Sequence, residues 1–257
     1  FKKPTRLECM MQDFPTVLDG ADASRVGFTS VSADVCFSPV KNATKDGIAL
    51  QAKGTHPGVA ASGEADQYGA VCKILRAMGC SIEDAAPAIY GGISTIPGPQ
   101  IVLKSSFVCC PSEYAAKFPD PSEVKISSKS SLVVMGSGVT IESLELDGAL
   151  VIKCEEGATG VIRNLVVKNR GWVEVPDDSS TDELIKMRGY YLKKTDTRTI
   201  TFRKDGTIEG DYDPAGTAPA TEAPEEKNVE KDLPSLTQPT KEESNEDTGL
   251  CGSCIIL

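Results

Sequence analysis

The sequence predicts an α/β region followed by an all-β region and then an acidic tail without fixed structure. Three observations predict this. Strand and helix signals mix as far as Gly79. Apolar residues recur six apart between about Ile101 and Phe202. From about Lys204 the composition turns to Pro, Glu, Thr, Ala and Asp. The implied units are residues 1–100, 101–203 and 204–257, and a hydrophobic content of 40% suffices for a core in the first two.

In the first unit, "TRLECMMQDF" is a moderately apolar run before Pro15. "VGFTSVSADVCF", rich in β-branched and aromatic residues, reads as a strand that stops at Pro39 and feeds a turn. A helix is expected from Ser62 to Gly79, because Ala65, Tyr68, Cys72 and Leu75 form one apolar stripe. Ser62 reads as its N-cap, with Glu64 and Asp66 at the positive end of the dipole, and Gly79 as its stop.

In the second unit the pairs Ile126/Leu132, Val133/Val139, Leu144/Leu150, Leu146/Ile152 and Val161/Val167 carry the six-residue recurrence. Two architectures fit it: a β-solenoid with glycine-containing turns, and an antiparallel meander. In the third unit, 13 acidic residues against 3 lysines between Asp205 and Leu250 account for the whole net charge of −10. So polar a segment buries too little surface to offset chain entropy, and disorder is expected.

Composition excludes several function classes. The first 204 residues carry no basic excess, which argues against nucleic acid as a partner. No run of 18 apolar residues offers a membrane span. Nine irregularly spaced cysteines and one histidine do not make a structural zinc site. Cysteines inside apolar segments (Cys36, Cys72, Cys154) read as small core residues of a reducing, cytoplasmic compartment. A single tryptophan and 5% aromatic residues disfavour a lectin-like β domain. Neither G-x-x-x-x-G-K-[ST] nor G-x-G-x-x-G occurs.

The candidate for chemistry is Lys41 in "FSPVKN". Pro39 fixes its own φ and pushes Ser38 towards an extended conformation, so the chain approaches Lys41 along a restricted path. A lysine held there is a good point charge for a phosphate, and the competing reading is a solvated loop lysine. Arg6 and Glu8 share one face if "TRLEC" is a strand. They either line a sugar-binding side of a cleft or form a structural ion pair. Gln12 is polar lining or turn chemistry. Asn42 either orients the loop that presents Lys41 or caps a turn. His56, in the Gly/Pro-rich "KGTHPG", joins the substrate-binding candidates against the reading of an ordinary loop residue.

The blocks "KPTRLECMMQDFP" (Lys3–Pro15), "VGFT…FSPVKN" (Val26–Asn42), "ASGE" (Ala61–Glu64), "LELDGALVI" (Leu144–Ile152), "VKNRGW" (Val167–Trp172) and "MRGYYL" (Met187–Leu192) occur in one order. In that order they resemble the UDP-sugar pyrophosphorylases, the broad-specificity UTP:monosaccharide-1-phosphate uridylyltransferases of the UDP-glucose pyrophosphorylase superfamily. The resemblance covers roughly residues 2–195. It implies the C-terminal part of a Rossmann-like nucleotidyltransferase domain followed by a left-handed β-helix. It also implies a reaction, in which UTP and a sugar 1-phosphate give a UDP-sugar and pyrophosphate with Mg²⁺. The family lysine of "PVKN", a contact to nucleotide phosphates, falls on Lys41. The family's glycine-rich nucleotide loop and metal-holding aspartate have no counterpart in these 257 residues. With Phe1 rather than methionine first, the chain is therefore expected to be part of a longer protein, inactive alone, with the Mg²⁺ ligands mostly outside it.

The sequence ends in "CIIL", a C-a-a-X pattern whose leucine favours geranylgeranyl on Cys254, with Cys251 placed to take a second acyl chain. The competing reading is a chance ending. A runner-up function follows: a non-catalytic β-solenoid module for interaction or oligomerisation, tethered to membrane by its tail.

Overall fold

A computed structural model describes residues 11–177 and 179–214. The chain enters through a 3-10 turn, Met11–Val17, which contains Pro15, and a single helical turn α1, Gly20–Ala23. The strand expected over Val26–Phe37 does not form. The backbone is irregular to Ser32 and then makes a short helix, α2, Ala33–Cys36. Val26, Phe28 and Val31 stay exposed. Strand propensity counts only where there is a pleated, half-buried surface to fit, and these residues have none. α2 lies beside a later helix, Ala60–Met78, and the Asp34 carboxylate accepts from Lys73 Nζ of that helix at 2.5 Å.

Two further helices follow, α3, Thr44–Gln51, and α4, Ala60–Met78. α4 buries the expected stripe at Tyr68, Cys72 and Leu75, with Ala65 half-buried. It ends at Gly79, left-handed at φ 108°, a conformation that costs glycine no steric penalty. Its start differs from expectation. The helix begins two residues before Ser62, and Val59 is the N-cap. Ser62 is the third helical residue, and its hydroxyl reaches back to the N–H and C=O of Val59. The hydroxyl thus satisfies an orphan amide from inside the first turn.

The remaining chain is mostly strand: β1 Ser81–Ile82, β2 Ala88–Tyr90, β3 Ile93–Thr95, β4 Gln100–Leu103, helix α5 Pro111–Lys117, β5 Val124–Ile126, β6 Ser131–Met135, β7 Val139–Ile141, β8 Leu144–Asp147, β9 Ala149–Cys154, β10 Gly160–Ile162, β11 Leu165–Lys168, β12 Trp172–Pro176, helix α6 Glu183–Arg188, β13 Tyr190–Lys194, β14 Arg198–Phe202 and β15 Ile208–Glu209. Most pairs are parallel. One sheet runs β1-β5-β8-β11, another runs β4-β6-β9-β14 with β15 added at its edge, and β7 pairs β10. From β5 to β11 the chain visits these three sheets in rotation. Val124 pairs with Leu144 and Leu144 with Leu165, a step of roughly 20 residues per circuit. Parallel ladders of this kind rule out the meander. Among the described residues the sheets do not close on themselves.

The six-residue recurrence marks inward positions. Leu132, Leu144, Leu146, Leu150 and Ile152 are almost wholly buried in one core that also takes Ile141, Ile162 and Ile200. Each such side chain contributes roughly 1.5–3 kcal/mol relative to exposure. Two members depart from this: Val133 is buried outside that core, between Leu132 and Val134, and Val161 is half-exposed between buried Gly160 and Ile162. Gly160 leaves room for Phe202, whose ring would lie 2.3 Å from a Cβ there. Between β8 and β9, Gly148 turns at φ 142°. Above it the Asn169 side chain completes the ladder, accepting from Ala149 N–H at 2.8 Å and donating to Ala149 O at 3.0 Å.

Two expectations for this half need correction. It is not all-β, because the helices α5 and α6 interrupt it. Nor does irregular chain begin at 204. β15 pairs with β14, and the Tyr212 hydroxyl donates to Val161 O and accepts from Arg163 N–H. An aromatic ring packed on Phe202 anchors what composition marks as tail. The expected disorder beyond residue 214 lies outside the described residues.

Candidate functional site

The site begins with a loop that crosses the N-terminal turn of α4. Gly63 has no side chain there, and a Cβ would meet Val40 Cγ2 at 2.2 Å. From the other side Gly58, at φ 59°, comes so close that a Cβ would lie 3.0 Å from both Asn42 Nδ2 and Pro39 O. The segment Pro39–Asn42 is thus held between two glycines. Gly58 O accepts from the amides of Lys41 and Asn42, both at 3.0 Å. Asn42 Nδ2 donates to Pro57 O at 2.8 Å. The backbone of Lys41 is fixed, while its side chain is exposed. Among the described residues no carboxylate pairs with its ammonium.

Lys41 lines a cleft of about 560 Å³ with Phe37, Pro39, Asn42, Thr55 and His56. Behind it, Asp66 Oδ2 accepts from Ser38 Oγ and faces His56 Nε2 at 2.8 Å. His56 Nδ1 accepts from Gly58 N–H at 3.1 Å, so the ring proton belongs on Nε2, pointing at Asp66. The other acid at the cleft, Asp34, is taken by Lys73. Among the described residues no three His, Cys, Asp or Glu side chains gather as a metal site. The residues around Lys41 do not fit a Mg²⁺ centre.

One turn along α4 lies a buried polar knot. Glu64, 6% exposed, receives Arg188 Nε at 2.7 Å and a second bond from Arg188 Nη2. The Tyr68 hydroxyl donates to the same carboxylate at 2.6 Å. The Arg188 guanidinium lies 4.4 Å over the Tyr190 ring, which packs on Tyr90. Burial and then the Glu64 charge push the Tyr68 hydroxyl up. Burial alone would lower Arg188, but its bonds to Glu64 reverse the sign and raise it. Nearby, burial raises the Glu174 carboxyl, which accepts from Gln100 Nε2.

Of the residues expected at the site, Lys41, Asn42 and His56 come together around Gly58. Gln12 falls in the opening 3-10 turn, its side chain outside the described part. Arg6, Glu8, Cys251 and Cys254 lie outside the described residues. Sequence reasoning read Glu64 and Asp66 only as dipole partners and Ser38 only as the residue before Pro39. Glu64 and Tyr68 stand four apart on a helix, a signal that could have paired them. Nothing local could have paired Glu64 with Arg188.

Comparison with known proteins finds no matching family model. Three curated relatives carry the name UDP-sugar pyrophosphorylase. Those from Oryza sativa subsp. indica and subsp. japonica are each 34% identical over 205 residues, 79% of this chain. That from Arabidopsis thaliana is 35% identical over 199 residues. The chain spans about a third of the length of these relatives, 31–32%.

Proposed function

We propose, from the premise that this chain belongs to the UDP-sugar pyrophosphorylase family over the region it shares with these relatives, that it supplies one side of a uridylyltransferase site. The substrates are UTP and a sugar 1-phosphate. A phosphate oxygen of the sugar 1-phosphate attacks the α-phosphorus of UTP. The bond from that phosphorus to the bridging oxygen breaks, and pyrophosphate leaves. Protein contributes mainly position and positive charge to such a step. Lys41 is the residue for both tasks. Among the described residues its ammonium has no carboxylate partner at the cleft, and its backbone is locked by Gly58. That combination carries the reading. Asn42 holds the loop through Pro57 O, which is a structural role. His56 reaches the cleft wall but spends both ring nitrogens on protein partners.

The rest of the cleft, including the glycine-rich nucleotide loop and any Mg²⁺ ligands, belongs to the relatives' remaining length in this reading. The 257 residues alone would then release no pyrophosphate from UTP and glucose 1-phosphate. The three parallel sheets visited in rotation would be successive coils of a β-helix that supports the catalytic part. In the full-length protein Lys41→Met should lower kcat by about 10²–10³, the usual cost of one oriented charge-stabilising donor. Normal turnover in that variant would favour the other reading, a non-catalytic interaction module.

A further inference from the structure

The geometry points to Asp66 as the positioning residue of the Lys41 loop, an inference that rests on reading Lys41 as the phosphate contact. Asp66 sits in the second turn of α4, a 19-residue helix buried along one face. Its Oδ2 collects two donors from opposite ends of the loop. Ser38, immediately before Pro39, gives its hydroxyl, and His56 gives Nε2–H at 2.8 Å. The second bond is relayed. His56 Nδ1 takes the Gly58 amide, and Gly58 O in turn takes the amides of Lys41 and Asn42. A single carboxylate oxygen on a rigid helix thereby fixes where the Lys41 backbone begins and ends.

A merely structural pair would look different. The His56 and Asp66 side chains are 48% and 36% exposed, and such a pair adds little to stability. Loop position is another matter. A shift of about 1 Å in a positioning element can lower a rate by about 10². Asp66 should therefore govern turnover far more than melting. The imidazole also has a specific task. It spans from helix carboxylate to loop amide, with the tautomer set by the amide.

The test uses Asp66→Ala, His56→Asn and His56→Gln. Asparagine Oδ1 replaces Nδ1 as acceptor for Gly58 N–H, whereas glutamine Nε2 replaces only the donor to Asp66. In the full-length protein Asp66→Ala should lower kcat by about 10–100-fold with KM for UTP less affected and the thermal midpoint barely moved. Each of these variants keeps one link of the relay and breaks the other, so both His56→Asn and His56→Gln should lower kcat. Adding Asp66→Ala to Lys41→Met should cost nothing further, because the carboxylate acts through the lysine. Multiplying losses, or equal effects on kcat and melting, would overturn the inference. If Lys41→Met turns over normally, the phosphate reading fails instead. The clamp is then judged on this chain by amide exchange: faster exchange at Lys41 and Asn42 in Asp66→Ala upholds it, and unchanged exchange removes it.

Discussion

Replacing Arg188 by methionine keeps the length and apolar stem of the side chain but strands a carboxylate. Glu64 is 6% exposed, and the Arg188 side chain is 22% exposed. After the change Glu64 would keep one donor, the Tyr68 hydroxyl. Breaking a buried pair from one side costs about 3–5 kcal/mol, because the remaining charge has lost its counter-ion and is shielded from water. For a folded body of this size each kcal/mol moves the midpoint by about 2–4 °C. Arg188→Met should therefore lower it by about 6–20 °C, followed by the fluorescence of the sole tryptophan, Trp172, or by circular dichroism. The diagnostic is the double variant Glu64→Gln/Arg188→Met. Removing the charge as well should return much of the loss, although Arg188 also leaves its place over the Tyr190 ring. A single variant melting within about 2 °C of the parent would refute the reasoning, and so would a double variant whose loss is the sum of the two singles.

Gly63→Ala sets helix propensity, a gain of about 1 kcal/mol, against overpacking on Val40, a cost of about 1–3 kcal/mol. Urea unfolding should show a loss of up to about 2 kcal/mol in the parent and a gain in a Val40→Ala background; additivity within about 0.5 kcal/mol would mean no contact. Glu174 gives a pH dependence. Its folded pKa lies above the ordinary 4.5, so the folded state holds the proton longer and stability falls as pH rises from about 4.5 through the raised value. Glu174→Gln should remove that fall, and urea midpoints of parent and variant should diverge upward through this window. Parallel curves would assign the slope to other groups.

Helix α4 and the inward positions of the β half were legible because each rests on a local period. Tyr68, Cys72 and Leu75 share a stripe three and four residues apart, and Leu144, Leu146, Leu150 and Ile152 obey the alternation of strands and their turns. Val26–Phe37 was misread for the converse reason. Its β-branched residues state a preference that only a neighbouring strand could satisfy, and there is none among the described residues. The first residues past 204 were misread because composition averages over a window. One aromatic, Tyr212, suffices to pin a short acidic stretch onto β10 and the turn after it.

The site was legible as a set of blocks but not as a set of contacts. Lys41 stood out through Pro39, yet what fixes it is Gly63 of "ASGE", Gly58 of "KGTHPG" and Asp66 beyond both. The same "ASGE" block holds Glu64, which reaches Arg188 of "MRGYYL" 124 residues later. In "LELDGALVI" and "VKNRGW" the partners are Ala149 and Asn169. Each of these later blocks is half of a close contact, and a glycine or a short polar side chain lets the other half approach. Such contacts leave no period in the sequence, since either half is silent without its partner. They also impose an order of dependence. The loop that presents Lys41 rests on α4, and α4 is tied through Glu64 to the segment between β12 and β13. The helix that the Lys41 loop packs against is therefore the same one that the Arg188 pair holds, so the segment between β12 and β13 supports the element on which the candidate site is built.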